Sequence, residues 1–412
     1  MRTRIDLARS LLVAVSISAC FLAPKSQATE LPEGYPTPRP MGLGGAFTAI
    51  ANDESAFWSN PAGIARARKA RSRNNVHILK FPNATVGLNS TSRSFYGAIQ
   101  GSTSSGIADV IANTTINTDR PFYARAAAFP VVLFEAAQNQ PLGFGVFSNS
   151  TMRIYVDKNI PTDARVSAVT DVGTSLGYAY TNFANRLNIG LNLRPTYRYA
   201  YEDTVPSSDL KSKTALLKRI KKDSNRGVGI GADVGLLFTI ADFWFPTIGV
   251  AIRNLPTGCV DDYLNPFTET RQKICGTTYA GSNGNSEALS VIDPMDARIG
   301  FAISPRIAKD YGIRLTADIQ NIYLGTGTAY YGLPGVDISK MLHGGIEFFT
   351  GNPLERSVFA VQLGANQGFV TWGFIINTAL ASVEFASYAV DVSSTVKRVE
   401  DRRYVASLSV ML

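Results

Sequence analysis

Residues 187–201 read LNIGLNLRPTYRYAY, and hydrophobic and polar residues alternate along this stretch. Successive side chains of a β-strand point to opposite faces, so the alternation separates the stretch into two surfaces. The odd positions are aliphatic in the middle and end in Tyr197, Tyr199 and Tyr201, whereas the even positions are Asn, Gly, Arg, Thr and Ala. An apolar face with tyrosines at its end is typical of the lipid-facing side of a transmembrane β-barrel, and a small polar face is typical of its lumen.

The same period of two recurs at 172–180, 227–240, 313–320 and 370–377. A soluble β-sandwich would cover its outer face with Lys, Glu and Thr, but here the aliphatic residues are opposed mainly by Gly, Ser, Asn and Arg. The predicted fold class is therefore all-β, a transmembrane antiparallel β-barrel of about 14 strands, an even number as in bacterial single-chain barrels. The predicted strands lie at about 123–134, 141–156, 165–181, 184–202, 226–240, 245–254, 295–305, 311–323, 340–350, 355–366, 369–378, 381–392 and 403–412, with one more before Gly101.

The lengths of the predicted connections agree with this fold. If the last strand runs towards the periplasm, the long connections, such as 203–225 and 255–294, all lie outside, and the short ones lie in the periplasm. This asymmetry is typical of outer-membrane barrels and is independent of the alternation. The last predicted strand also alternates, although it ends in Leu412, where Phe or Trp is usual.

The N-terminus has the parts of a secretory signal peptide. A basic region with Arg2, Arg4 and Arg9 precedes an apolar run, and Ser26-Gln27-Ala28 forms a small-x-small cleavage site. A second processing site remains open, because residues 17–20 resemble a lipoprotein box that would place a lipid on Cys20. The apolar run continues beyond Cys20 and favours cleavage after Ala28. The predicted domains are a signal peptide (1–28), an N-terminal periplasmic segment and lumenal hatch (29–73), and an outer-membrane barrel (74–412).

Composition excludes several functional classes. The formal net charge is +8, of which the leader carries +3, and the remaining +5 is too small and scattered for a nucleic-acid-binding surface. No run of 18 apolar residues follows the leader, so no transmembrane helix is expected. Cys259 and Cys275 are the two cysteines outside the leader, and in an exported chain we expect them to form a disulfide. No metal site and no cofactor are expected.

The stretch at 41–65, MGLGGAFTAIANDESAFWSNPAGIA, does not alternate and carries too much apolar surface for a solvated leader. Its glycines allow close backbone approach, and its aromatic residues need an apolar enclosure. We expect Ser55 to cap a short helix, Asn60-Pro61 to end it, and lumen arginines to meet Asp53 and Glu54. The residues expected to form and gate this hatch are Gly42, Gly44, Gly45, Phe47, Asp53, Phe57, Trp58, Asn60 and Pro61.

The two ends of the chain resemble one family. GLGGAF, the acidic turn and Asn60-Pro61-Ala62-Gly63 are similar to the N-terminal hatch of the FadL superfamily of outer-membrane β-barrels, the long-chain fatty-acid transporter and PorV-like group. HGGIEFF (343–349) and the stretch at 361–390 are similar to the final strands of the same group. The resemblance implies a monomeric 14-stranded barrel with a plugged lumen. In the transporters, apolar ligands enter from outside, shift the hatch and leave sideways through a strand kink.

The inward positions of the predicted strands are unusually polar. The expected polar lining of the lumen is Arg194, Arg198, Asp233, Arg253, Arg298, Arg314, Asp318 and Glu384. Outside the barrel, residues 207–223 predict an amphipathic basic helix. It is either a solvated loop helix or a helix over the outer mouth that binds anionic lipid headgroups or an acidic ligand.

Motifs for catalysis are weak. Residues 173–177, GTSLG, match the pattern of a nucleophile elbow, but that motif needs a sharp strand-to-helix turn and here lies inside one strand. Ser175 is therefore expected to be a small lumen residue, and His343, at the start of a strand, is expected at the rim. The chain is not expected to be an enzyme.

The predicted function is diffusive uptake of hydrophobic or amphipathic small molecules, such as long-chain fatty acids, through an outer-membrane barrel gated by an N-terminal hatch. The expected surroundings are outer-membrane lipid and a hydrophobic small-molecule ligand, for a monomer without nucleic-acid partners. The alternative is a PorV-like factor in secretion or surface attachment, whose partners would be exported proteins.

Overall fold

The computed structural model describes most of the chain after residue 29. The described residues are 30–31, 33–35, 37–67, 76–92, 120–156, 163–182, 186–206, 213–265, 268, 270–281, 292–326, 329–351, 357–378, 380–392 and 398–411. The predicted signal peptide, with Cys20 and the cleavage site after Ala28, lies outside these residues, as do positions 68–73 of the predicted hatch segment and Ser207, the first residue of the predicted basic helix.

Fourteen antiparallel strands close into a barrel, which confirms the predicted fold class. The barrel strands are β1 (Val76–Asn89), β2 with β3 (Phe122–Ala128 and Val131–Ala137, one interrupted strand), β4 (Gln140–Val156), β5 (Asp163–Asn182), β6 (Leu187–Pro206), β7 (Asn225–Thr239), β8 (Thr247–Arg253), β12 (Asp296–Ile303), β14 (Tyr311–Ile322), β17 (Leu342–Thr350), β18 (Phe359–Asn366), β19 (Phe369–Asn377), β20 (Ala381–Asp391) and β21 (Glu400–Met411). A short β13 (Arg306–Ala308) pairs with β14. The first strand pairs with the last, Leu88 opposite Tyr404, and this pairing closes the cylinder.

The two faces of each strand have the environments that the alternation predicts. On β6, Leu191 and Leu193 are exposed on the outer face, whereas Asn188 and Asn192 are buried inside. Tyr197 and Tyr199 lie together on the outer face, with ring centroids 4.9 Å apart. Aliphatic side chains therefore face the membrane and polar ones fill the interior. One connection differs from the predicted asymmetry, because β18 and β19 are joined on the outer side by the two-residue turn Gln367-Gly368.

The barrel wall is interrupted between β1 and the strand formed by β2 and β3. Pro82 and Pro130 cannot donate a ladder hydrogen bond, and the register of β1 against β21 shifts between Phe81 and Ala84. Asn83 holds the two strands together at this point, because its carbonyl accepts from the Phe129 amide at 3.1 Å and its side chain donates to the Phe129 carbonyl at 3.2 Å. The break turns Phe129 into the lumen, where its side chain is fully buried.

A second, smaller sheet is formed by the outer connections. It contains β9 (Gly258–Leu264), β10 (Arg271–Thr278), β11 (Ile292–Pro294), β15 (Leu324–Thr326) and β16 (Ala329–Tyr331). The parallel pairing of β10 with β16 joins two connections that are distant in sequence. The helices are α1 (Pro38–Gly42), α2 (Lys213–Asp223) and α3 (Ile338–Met341), and α2 is the described part of the predicted basic helix. No helix among the described residues is long and apolar enough to cross a membrane.

Cys259 on β9 and Cys275 on β10 face each other across the outer sheet and form a disulfide. The bridge closes a loop of about 15 residues. In the chain-entropy model it restricts the unfolded chain and so stabilises the folded protein by roughly 3 kcal/mol. We expect the thiols to be unreactive towards maleimide until the protein is reduced, after which trypsin should cleave at the exposed Arg271. A thiol that is labelled in unreduced protein from intact cells would contradict the pairing, and a Cys259→Ser, Cys275→Ser variant provides the control.

Candidate functional site

The stretch after Thr37 lies inside the barrel and is almost wholly buried up to Ala67. It begins with α1 and continues through two 3-10 turns, Glu54–Trp58 and Pro61–Ala65. Gly44 and Gly45 have φ angles of 67° and 88°, which favour glycine. A side chain at Gly44 would also collide with the Ala365 carbonyl of β18. The lumen is thus occupied by a compact segment that packs against the strands on all sides.

Local capping differs from the sequence-based expectation. Asp53, rather than Ser55, caps the first 3-10 turn, because its carboxylate accepts from the Ser55 amide at 2.8 Å. Asn60 caps the second turn by accepting from the Ala62 amide at 3.1 Å. Pro61 therefore begins a turn, which fits the preference of proline for the first helical position. Asn60-Pro61, expected to end the first helix, thus also begins the second turn.

A buried ion network joins this hatch to the wall. Arg39 donates to both carboxylate oxygens of Glu347 on β17 at 2.8 Å and to Asp53 at 2.7 Å. Arg314 on β14 donates to the same Glu347. The Arg39, Arg314 and Glu347 side chains are at most 2% exposed. Bidentate, charge-assisted contacts of this kind are strong and geometrically specific.

A second network joins the hatch to β1 and β20. Lys80 on β1 is fully buried and donates to Glu54 of the hatch and, at 2.7 Å, to Glu384 on β20. We expected lumen arginines to meet Asp53 and Glu54, but these carboxylates pair with Arg39 of the hatch itself and with Lys80. Sequence reasoning selected neither cation, because Lys80 lies on β1, whose bounds were not predicted, and Arg39 precedes the quoted hatch stretch.

Hydrogen bonds to backbone groups of the hatch complete its contacts with the wall. Asp318 on β14 accepts from the Phe47 and Thr48 amides at 2.9 and 2.8 Å. The side chain of Asn60 donates to the Thr48 carbonyl at 2.8 Å and to the Leu236 carbonyl of β7 at 3.1 Å. His343, expected at the rim, instead faces inward, and its Nδ1 lies 2.7 Å from the Gly44 carbonyl oxygen.

The remaining polar lining forms ion pairs above the hatch. Arg198 makes two contacts with Asp171, at 2.7 and 2.8 Å, and reaches Asp293 of the outer sheet at 2.8 Å. Arg194 pairs with Asp233 at 2.9 Å. All eight residues of the expected polar lining face the interior and are buried or half-buried. Within the described residues there is no group of three or more His, Cys, Asp or Glu that could hold a metal ion.

Aromatic side chains of the hatch and the wall meet below these ion pairs. The rings of Tyr35 and Trp58 are stacked, with centroids 4.5 Å apart. Phe129 meets Trp58 edge-on at 5.0 Å, Phe147 meets it at 5.1 Å, and Phe57 packs on Phe129 at 5.5 Å. We call these five residues the aromatic cluster. Phe57 and Trp58 were selected from the sequence, whereas Tyr35, Phe129 and Phe147 carry no signal that separates them from other aromatic residues.

Two cavities of about 100 Å³ each border the aromatic cluster. The first lies under the outer sheet and is lined by Trp58, Phe147, Arg194, Arg198 and Tyr279. The second lies beside it, among Met41, Phe47, His343, Tyr388 and Val390. Both are bordered by Gly34, Tyr35, Trp58 and Arg253. Together the cavities extend from the outer sheet towards the hatch.

The segment before the hatch is held by arginines in the outer half of the lumen. Arg403 on β21 contacts Glu30 at 2.9 Å and Glu33 at 2.7 Å, and Arg153 on β4 contacts Glu30 at 2.8 Å. Arg403 also lies over the ring of Tyr123, 3.9 Å from its centroid. Burial raises the pKa of Glu30, but Arg153 and Arg403 outweigh this effect and lower it from 4.5 to about 2.

This lowered pKa predicts an acid-induced release of the N-terminal segment. A carboxylate with a depressed pKa stabilises the docked state above its ordinary value, here 4.5, and loses that contribution as the pH falls through about 2. Brief pepsin digestion at a series of pH values, with mass spectrometry of the released peptides, should show cleavage near Leu31 appearing in this window. A Glu30→Gln variant should be cut already at pH 4.5, whereas Glu202→Gln, at an exposed ion pair, should behave as the parent. Equal cleavage of parent and Glu30→Gln at every pH would contradict the role of Glu30.

The catalytic motif does not assemble a catalytic site. Ser175 lies inside β5, is fully buried, and donates to Asn192 at 2.7 Å. The same Asn192 donates to the Phe57 carbonyl at 2.9 Å, so this serine supports the seat of the hatch. No sharp strand-to-helix turn is present at 173–177, since these residues continue one strand.

Comparisons with known proteins identify the fold. No family model and no curated protein matches the sequence. Among solved structures, a mutant of the TodX monoaromatic hydrocarbon channel is 12% identical, with a TM-score of 0.52 over 92% of this chain and 99% of that one. The Pseudomonas putida toluene transporter TodX is 11% identical, with a TM-score of 0.50 over 93% and 99%. A Pseudomonas aeruginosa FadL homologue is 11% identical, covering 93% and 99% with a TM-score of 0.35. At such identities the likeness concerns the fold.

Proposed function

We propose that this chain, which has the fold of the FadL-superfamily outer-membrane channels, mediates diffusive uptake of hydrophobic or amphipathic small molecules across the outer membrane. The observation that carries the proposal is the continuity of three features: the outer cavity, the aromatic cluster and the break in the wall. Phe129 belongs to both the cluster and the break. A ligand on the cluster is therefore one side chain away from the discontinuity in the barrel wall.

The hatch is proposed as the gate of this path. It fills the lumen and closes the direct route to the periplasm, so an apolar molecule in the cavities has the membrane side of the barrel as its alternative exit. Pro82 and Pro130 leave this part of the wall with fewer ladder hydrogen bonds than a regular strand pair. The solved structures named above include a toluene transporter and a monoaromatic hydrocarbon channel, which is consistent with an apolar cargo.

A reversible covalent bridge beside the break tests this route. Ala84 and Ala128 are cross-strand partners on β1 and β2, so an Ala84→Cys, Ala128→Cys variant can tie the two strands together. We expect the oxidised variant to take up a fluorescent long-chain fatty acid, or toluene, more slowly than the parent in whole cells. Reduction should restore uptake. The parent with and without reductant controls for the native Cys259–Cys275 bridge.

Uptake that is identical in the oxidised and reduced variants would remove the lateral route. Absence of uptake by the parent protein, together with recovery of an exported protein bound to it, would favour the PorV-like alternative instead. The two outcomes are distinguishable because the first requires a functioning channel and the second requires a stable protein complex.

A further inference from the structure

Arg253, the last residue of β8, occupies an unusual position between the two cavities. It borders both of them, and only 6% of its surface is exposed. On one side it faces the segment that contains Gly34 and Tyr35, and on the other it faces the ion pairs of the upper lumen. A buried guanidinium in such a place needs either a protein partner or a ligand.

The pairing of Arg253 within the described residues is incomplete. The one ion partner is Asp296, whose Oδ2 is 3.6 Å from Nη1, too far for a hydrogen bond. The same oxygen already accepts from Arg298 at 2.6 Å, and Oδ1 accepts from the Asn321 amide at 3.0 Å. The Nε atom of Arg253 is buried without a hydrogen-bond partner. Asp296 is therefore engaged by Arg298 and the Asn321 amide, and Arg253 has no hydrogen-bonded counter-ion of its own among the described residues.

An aromatic surface lies beside this charge. Trp58 and Tyr35, stacked on each other, border the same two cavities as Arg253. Arg194 lies over the Trp58 ring, 5.4 Å from its centroid, and is balanced by Asp233. The two aromatic residues and Arg253 thus border the same cavities, where a molecule with a ring and an anionic group can contact both.

We infer that this junction is a binding site for a small aromatic carboxylate, which Arg253 would hold by its anionic group and Tyr35 and Trp58 by its ring. The inference rests on the proposed uptake function and specifies a ligand class for it. A carboxylate can accept two parallel hydrogen bonds from a guanidinium, and it would supply the hydrogen-bonded counter-ion that Arg253 lacks. Each cavity is of the order of size that holds a single ring, since an engineered apolar cavity of roughly 150 Å³ binds benzene.

Gly34 positions the guanidinium. A Cβ atom at this residue would lie 2.6 Å from Nη2 of Arg253, so any side chain there must displace the charged group. Because Gly34 has no side chain, its backbone lies directly against the guanidinium of Arg253, which stays at the boundary between the cavities. A Gly34→Ala substitution displaces the guanidinium but keeps its charge, whereas Arg253→Gln removes the charge. Comparison of the two variants separates the effect of position from that of charge.

Binding to the purified full-length protein in detergent can be measured by the fluorescence of Trp58. Of the three tryptophans, Trp244 and Trp372 are about half exposed, whereas Trp58 is buried beside the site. We expect benzoate to change the tryptophan fluorescence with an affinity about tenfold higher than that of benzamide, its neutral isostere. Cyclohexanecarboxylate, which lacks the flat ring, should bind several-fold more weakly than benzoate. A Trp58→Phe variant identifies the source of the signal.

Variants separate charge, position and fold. Arg253→Gln should reduce benzoate affinity to that of benzamide, Arg253→Lys should retain part of the difference, and Gly34→Ala should lose most of it. Arg186→Gln, at an exposed ion pair in a periplasmic turn, should bind as the parent does. Gel migration with and without boiling reports whether each barrel is folded, and the lysine and Gly34 variants decide the matter if the glutamine variant does not fold.

Equal affinities for benzoate and benzamide in the parent, or full benzoate preference in Arg253→Gln, would overturn the inference. The proposed uptake function is scored separately with toluene. If toluene enters cells through the protein but the protein binds benzoate no more tightly than benzamide, the aromatic carboxylate site is wrong and the proposed channel function stands. If neither molecule binds or enters, the proposed channel function fails as well.

Discussion

Deletion of residues 41–60 is expected to leave a folded barrel that is permeable to small hydrophilic solutes and has lost selective uptake. The barrel closes through strand pairing, from β1 to β21, and that ladder does not depend on the hatch. The deleted residues, in contrast, fill the lumen with Phe47, Phe57 and Trp58, each at most 6% exposed. Swelling of proteoliposomes in sugars of increasing size measures the permeability, and gel migration with and without boiling verifies the fold.

A matched control replaces residues 41–60 by 20 residues of Gly and Ser. This variant retains the length of the chain between the N-terminal segment and β1 but removes the contacts of the hatch. We expect it to be nearly as permeable as the deletion, because a flexible linker cannot exclude water as a packed segment does. Unchanged permeability in both variants, with loss of a protein partner, would mean that this stretch serves an assembly role, and the uptake proposal would fall with it.

The barrel could be predicted from the sequence because its signal is local. Side-chain alternation depends only on whether a residue points to lipid or to the lumen, so 187–201 contains enough information to define both faces of β6. The sorting of connections into long and short ones adds a test that needs no contact between strands. The main departure, the short outer turn at Gln367-Gly368, left the alternation on β18 and β19 intact.

The seat of the hatch could not be predicted because its partners are distant in sequence. Arg39 and Glu347 are 308 positions apart, and inward Glu347 looks like any other polar lumen residue until the hatch is placed against it. The small inward residues were interpreted as the lining of a lumen, but Gly190 and Gly235 lie directly against Pro61 and Asn60. What appears in the sequence as open space is in fact the surface on which the hatch packs.

The same limit applies to the break in the wall and to the outer sheet. Pro130 lies inside the predicted strand at 123–134. The break that it introduces into the wall nevertheless depends on Asn83 of the neighbouring strand, which forms both hydrogen bonds to Phe129. The parallel pairing of β10 with β16 brings together two outer connections whose separate sequences do not indicate each other. Arg253 was recognised as a lumen residue, but its incomplete pairing emerges only when Asp296 is found to be occupied by Arg298.

Replacement of Glu347 by Gln is expected to have the largest effect of any single substitution on stability and gating together. The carboxylate is fully buried and is shared by Arg39 of the hatch and Arg314 of the wall, so its removal takes away the counter-ion that the two buried guanidinium groups have in common. Loss of one partner from a buried ion network typically costs about 3–5 kcal/mol. Because Arg39 belongs to the hatch, this loss should also loosen the seat of the hatch.

We therefore expect Glu347→Gln to unfold at a lower urea concentration than the parent and to admit small sugars into proteoliposomes. The matched control is Asp242→Asn, which breaks an ion pair of similar length, 2.7 Å to Arg186, at an exposed turn. An exposed pair contributes less than about 1 kcal/mol, so the control should retain the stability and the closed state of the parent. If Glu347→Gln is destabilised but remains impermeable, the network anchors the wall alone and the hatch is held by its other contacts. If both variants match the parent, the network does not hold the hatch at all.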